Sequence, residues 1–170
     1  MLKLTKKADY GLIALKHLAV NRRGGSASAK EIAECYGIPV PLLSKILQKL
    51  TRTGFLRSEH GTNGGYRLAR SASQITALEV IRSIDGPIIL TTCFTQHGQC
   101  EQSGKCTVRE PLRRVHEGIL QLLAGITISD MCEESEEVQE CGSGPDRAVD
   151  DLVQPVHRPS IPAADPVRNI

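Results

Sequence analysis

The chain has 170 residues, six cysteines, no Trp and a formal net charge of +2. That length allows one domain, or one domain plus appendages. No apolar run approaches the ~20 residues of a membrane span, and no secretory apolar region follows Met1, so a cytoplasmic protein is expected. With aromatics at 3% the core must come from Leu, Ile, Val and Ala, a composition suited to helices. The charge is divided unevenly. Residues 1–70 hold 13 Lys+Arg against 4 Asp+Glu, whereas residues 71–170 hold 8 against 15. A basic first half is the electrostatic footprint of a nucleic-acid binder.

The first helix is predicted from Thr5 to Asn21, with Ala8, Leu12, Leu15 and Ala19 at helical spacing on one face. The second runs from Ser28 to Tyr36. Ser28 and Glu31 have the spacing of a capping box, and Gly37 is its C-cap. After the turn Gly37-Ile38-Pro39, a third helix covers Val40 to Thr53, with Pro41 in its first turn. Leu42, Leu43, Ile46, Leu47 and Leu50 make its apolar face, and Lys45, Gln48, Lys49 and Arg52 its polar face. Two short strands, Phe55–Ser58 and Tyr66–Leu68, flank a Gly-rich turn and read as a hairpin.

A fourth helix covers Thr76 to Ile84 and stops at Asp85-Gly86-Pro87. The longest runs from Thr107 to Gly125, where Val108, Leu112, Val115, Ile119, Leu122 and Ile126 repeat at heptad spacing. The domain ahead of this stripe already closes a core, so a second copy of the chain is its expected partner. Residues 133–170 carry nine acidic and three basic residues, five prolines and no aromatic. Such a composition cannot offset the entropy of ordering, so an acidic disordered tail is expected. The resulting division is a DNA-binding domain at 1–85, a cysteine-rich loop at 86–106, a pairing helix at 107–131 and the tail at 132–170. The fold class is mainly α.

Two helices joined by a tight turn and followed by a hairpin form a winged helix-turn-helix, whose second helix fits the major groove of double-stranded DNA. Lys45, Lys49 and Arg52 are the candidate phosphate contacts, and Ser44 and Gln48 the candidate base readers. In the wing, Arg57, His60, Gly64, Gly65, Tyr66 and Arg67 are the candidates: the glycines for close approach to the sugar-phosphate backbone, His60 and Arg67 for the minor groove or phosphate. No hydrolase constellation and no phosphate-binding Gly loop is present, which argues against an enzyme and against a small-molecule substrate.

Cys93, Cys100 and Cys106 lie in a polar loop at C-x6-C-x5-C spacing. Thiolates in that setting favour a metal or an iron–sulfur cluster over packing. A structural zinc held by three cysteines and His97, a thiol–disulfide sensor, and plain thiols are the alternatives. Cys35 reads as a core filler, Cys132 and Cys141 stay unassigned, and His17 and His116 read as surface residues.

Asp9-Tyr10-Gly11, Gly37-Ile38-Pro39, Gly64-Gly65-Tyr66-Arg67-Leu68, and Asp85-Gly86-Pro87 ahead of three cysteines resemble the IscR/NsrR-type regulators. Gly86-Pro87-Ile88-Ile89-Leu90-Thr91-Thr92-Cys93 and Cys106-Thr107-Val108-Arg109 are similar to the branch that regulates the SUF iron–sulfur assembly operon. The likeness covers residues 1–131. It implies a homodimeric, nucleoid-associated transcription regulator, of repressor type, that binds promoter DNA. It implies an iron–sulfur cluster, 2Fe–2S ahead of 4Fe–4S, with Cys93, Cys100 and Cys106 as ligands. A nitric-oxide-responsive NsrR-like repressor and a zinc-stabilised interaction module are the alternatives. Two departures stand out. The first cysteine interval holds six residues, where IscR and NsrR have five, and Arg109 occupies the place of an IscR-like histidine. A guanidinium stays protonated and cannot ligate iron. The fourth ligand is therefore open between His97, a small thiol and Asp9 of the partner chain, the position from which NsrR-like members supply a carboxylate.

Overall fold

Thr5 starts the first helix by accepting a hydrogen bond from the Ala8 amide at 3.2 Å, and α1 then runs Lys6–Val20. The computed structural model describes residues 4–21, 26–61, 64–94, 100–102 and 104–133. The expected disorder of the tail from 134 onward, His97 and Cys141 lie outside them. The buried face of α1 is Ala8, Gly11, Ala14, Leu15 and Leu18, with Leu12 and Ala19 only half-buried. Gly11 sits at the centre because another helix crosses there, and a Cβ at this position would run into the Ile84 side chain.

The helix α2 spans Ala29–Tyr36, and its capping box forms as the spacing predicts. The Glu31 amide donates to Ser28 Oγ at 3.1 Å, and the Ser28 amide donates to the Glu31 carboxylate at 2.6 Å. Gly37 closes α2 in the left-handed region at φ 61°, where a residue with a Cβ is strained. The helix α3 spans Val40–Arg52 and buries Leu43, Ile46, Leu47 and Leu50.

The strands β1 (Leu56–Glu59) and β2 (Gly65–Leu68) pair antiparallel with Arg57 opposite Arg67 and Ser58 opposite Tyr66. Ala27 adds a bridge on the far side of β2, exchanging both backbone hydrogen bonds with Tyr66 at 2.9 and 3.0 Å. The hairpin is thereby tied to the chain just ahead of α2.

A second capping box, Thr76 with Glu79, opens α4 (Ala77–Asp85). After a short 3-10 turn at Thr92–Phe94 comes α5 (Arg109–Gly125). The predicted segment 107–131 is not one helix. It breaks after Gly125, and α6 (Ile128–Glu133) folds back. The Ala77 amide donates to the Ile126 carbonyl at 2.8 Å, and the Ile128 amide to the Ile75 carbonyl at 2.9 Å. Ile128 is then fully buried in the main core with Leu15, Leu43, Leu47 and Ile75. Cys132 and Glu133, assigned to the tail by composition, belong to α6. All the described residues fall in one compact unit, residues 1–139.

Candidate nucleic-acid interface and cysteine loop

A helix turns about 100° per residue, so burying Leu43, Ile46, Leu47 and Leu50 of α3 turns Pro41, Lys45, Gln48 and Arg52 outward. All four are exposed. This ridge is the polar face predicted from the sequence, with two adjustments. Ser44 stands on one flank, half-buried. Lys49 stands on the other, and its ammonium donates to the Ile84 carbonyl at 2.8 Å. A cation on the last turn of α4 meets the negative end of that helix. Lys49, though exposed, is therefore engaged with the end of α4, whereas Lys45 and Arg52 project from the ridge.

The wing shows the same division. Alternation along the strands puts Arg57, Glu59 and Arg67 on one face and Leu56, Ser58, Tyr66 and Leu68 on the other. Arg57 and Arg67 are exposed and directly opposite. Their repulsion is relieved by Glu59, which pairs with Arg67 at 2.7 Å, while Arg57 donates to the Ala69 carbonyl at 3.3 Å. His60 is exposed next to the turn, whose residues 62–63 lie outside the described set. Tyr66 is half-buried against the core. The two glycines have an internal reason to be glycine. A Cβ on Gly65 would come within 2.6 Å of the Ala27 carbonyl, and one on Gly64 within 2.6 Å of the Glu59 oxygen. Close approach to DNA is not needed to explain either.

Cys93, Cys100 and Cys106 are free thiols, each half-buried. Cys93 lies in the 3-10 turn and touches the Thr91 hydroxyl at 3.0 Å. Cys106 lies three residues before α5. Among the described residues no three of His, Cys, Asp and Glu converge to hold a metal ion. The three thiols are not gathered, and Asp9, exposed in the first turn of α1, does not join them within one protomer. Arg109, the first residue of α5, is exposed. Cys132 packs against the core and donates to the Ile128 carbonyl at 3.1 Å; burial pushes its thiol pKa up, as befits a packing residue.

Two histidines differ from the sequence reading. His17 is half-buried, with Nδ1 3.3 Å from the Tyr36 hydroxyl, and burial lowers its pKa. His116 is not a surface residue: its Nδ1 is buried without a hydrogen-bond partner, and its ring lies 5.4 Å from that of Phe94. The signal was in the spacing. His116 follows Leu112 by four residues and precedes Ile119 by three, at the edge of the apolar stripe. Arg70 also escaped notice. It covers the Phe55 ring at 4.8 Å and pairs with Glu79 at 3.6 Å, joining the foot of the wing to α4.

A family described as Rrf2, iron-dependent transcriptional regulators, matches residues 4–134. The chain belongs to the Rrf2 family. Among solved structures it is similar to CymR (YrzC), the global cysteine regulator of B. subtilis. Identity is 28% and the TM-score 0.68, over 80% of this chain and 100% of that one. It is also similar to IscR of T. potens, at 30% identity and TM-score 0.65 over 81% and 91%, and to Staphylococcus aureus CymR, at 26% and 0.61 over 76% and 97%. The protein is thus a winged-helix transcription regulator and not an enzyme. Among the described residues no helix is long and apolar enough to cross a membrane.

Proposed function

We propose that this Rrf2 regulator binds promoter DNA as a homodimer and reports the state of an iron–sulfur cluster held by Cys93, Cys100 and Cys106, controlling cluster-assembly genes. The observation that carries this reading is three free, half-buried thiols on one short segment between α4 and α5. Their donor chemistry fits the group, since soft thiolates suit iron–sulfur iron. When bound, such a group supplies a ligation state that iron supply, oxidants or nitric oxide can change.

The chain's own contacts supply a route from that segment to DNA. The cysteine segment leaves the end of α4. There Lys49 of α3 holds the Ile84 carbonyl, and the Thr5 hydroxyl at the start of α1 donates to the Asp85 carboxylate at 2.7 Å. At its other end the segment enters α5, and the chain just past α5 returns to the start of α4 through Ile126 and through Ile128 of α6. Ligation on the cysteine segment would therefore bear on α4 from both ends, and α4 positions the recognition helix. The pairing of two copies is supported by α5, which has no buried residue and, with Val108 just ahead of it, exposes Val108, Val115 and Leu122 by 57%, 52% and 71%. Large apolar side chains exposed in a row mark an interface.

Protein isolated without oxygen is expected to contain iron and acid-labile sulfide, to absorb in the visible, and to lose all three in Cys93→Ser, Cys100→Ser and Cys106→Ser. Unchanged iron in those variants, or one zinc per chain, would overturn the reading. A second reading draws on the likeness to CymR: a regulator of cysteine metabolism, which would bind DNA identically with and without iron.

A further inference from the structure

We infer that Val40 and Pro41, at the tip of the recognition helix α3, read thymine in the operator through its C5-methyl group. The inference rests on the DNA-binding part of the reading above and not on the cluster. In a helix-turn-helix the N-terminal residues of the second helix meet the base edges. Here that first turn is apolar. Pro39, Val40 and Pro41 are exposed in a row, and Val40 keeps 39% of its surface. Pro41 heads the outward ridge that continues through Lys45, Gln48 and Arg52. Val40 stands one turn before Ser44, on the same flank.

The same turn is short of hydrogen-bond donors. Pro39 and Pro41 have no amide hydrogen, and the Leu42 and Leu43 amides turn back to the Pro39 carbonyl at 3.0 and 3.1 Å. No side chain caps the helix. Such a tip is poorly equipped to hold a phosphate as other helix N-termini do, and its side chains have nothing to pair with N7 or O6 of a purine. Pressed against a G·C pair, which carries no methyl, it would strip water from polar edges and return no hydrogen bond. The major groove offers one apolar group, the C5-methyl of thymine. The branched Val40 and the rigid ring of Pro41 present only methyl and methylene carbons to it. Both are held in place because the opposite face of α3 is packed through Leu43, Leu47 and Leu50, all fully buried.

The probe is a duplex selected from a randomised pool by the full chain isolated without oxygen. Each thymidine is then replaced in turn by deoxyuridine, which removes the methyl and leaves every hydrogen-bonding edge unchanged. At the thymines under α3, wild-type affinity is expected to fall about fourfold for each methyl removed. The double variant Val40→Ala with Pro41→Ser is expected to bind the thymidine and deoxyuridine duplexes alike at those positions. Its melting is expected to stay near that of the wild type, because both side chains are exposed. The wild-type series stands as a test by itself should the variant not fold. A wild type that selects a sequence yet ignores deoxyuridine throughout it, or a folded double variant with the wild type's methyl sensitivity, would overturn this inference alone. A wild type that binds all duplexes alike would overturn the promoter reading and this inference with it.

Discussion

Lys49 and Arg52 are both cations on the outer side of α3, yet the structure gives them different work. Lys49 donates to the Ile84 carbonyl at 2.8 Å, while Arg52 is exposed on the central ridge. Lys49→Ala removes one charged donor from the last turn of α4, a loss of about 1 kcal/mol for a partly exposed contact. For a unit of this size that lowers the melting temperature by roughly 4 °C. If the ammonium stays on Ile84 in the complex, it releases no counterion from DNA, so the salt dependence of binding is expected to hold. Arg52→Ala is expected to do the reverse. Melting stays put, and the slope of log K against log salt becomes shallower by about 0.9 per lost phosphate contact, or about 1.8 for a two-fold dimer. Fluorescence anisotropy on one promoter fragment across a salt series, beside thermal melts of the free proteins, measures both. A slope that falls as far in Lys49→Ala as in Arg52→Ala, with no change in melting, would refute this division of roles.

Other consequences are equally direct. Val115→Glu with Leu122→Glu places charges on the exposed stripe of α5; sedimentation should show a monomer that keeps its helical circular dichroism, because neither side chain is buried in the protomer, and whose melting no longer rises with protein concentration. Gly65→Ala forces a Cβ against the Ala27 carbonyl and should cost about 1–3 kcal/mol in denaturant unfolding, since the obstacle is backbone and cannot swing aside. The Ser28 amide holds the Glu31 carboxyl below its usual range, as the Thr76 amide does for Glu79. A carboxyl whose folded pKa is depressed contributes stability above its unfolded pKa and loses it as pH falls through the folded value. Glu31→Gln should therefore flatten the acid limb of the stability profile and leave neutral-to-alkaline differences constant.

The features legible in the sequence were those set by neighbours along the chain. The Ser28–Glu31 box, the Gly37 cap and the apolar face of α3 depend on spacings of a few residues, and each formed as read. What escaped was set by partners far away in sequence. Lys49 looked like any exposed lysine until the end of α4 came beside it, 35 residues on. His116 looked like a surface residue because Phe94 is 22 residues behind it. The glycines of the wing were read toward DNA when the Ala27 and Glu59 backbones already required them. The helix α6 is too short for periodicity to reveal, yet Thr127 and Asp130 carried a capping signal. The Thr127 amide donates to the Asp130 carboxylate at 2.7 Å, and the Asp130 amide to the Thr127 hydroxyl at 3.2 Å. The cysteines were legible as a set, and among the described residues they do not meet at a common centre.

The central claim is that the state of Cys93, Cys100 and Cys106 sets DNA affinity through α4. Its most direct test is promoter affinity measured without oxygen for loaded and chelator-stripped protein, beside a variant carrying Cys93→Ser, Cys100→Ser and Cys106→Ser. Loaded and stripped wild type are expected to differ by about tenfold or more, a coupling of ~1.4 kcal/mol, and the triple variant to show one affinity under both treatments. Equal affinities for loaded and stripped wild type, or a triple variant that still responds, would contradict it.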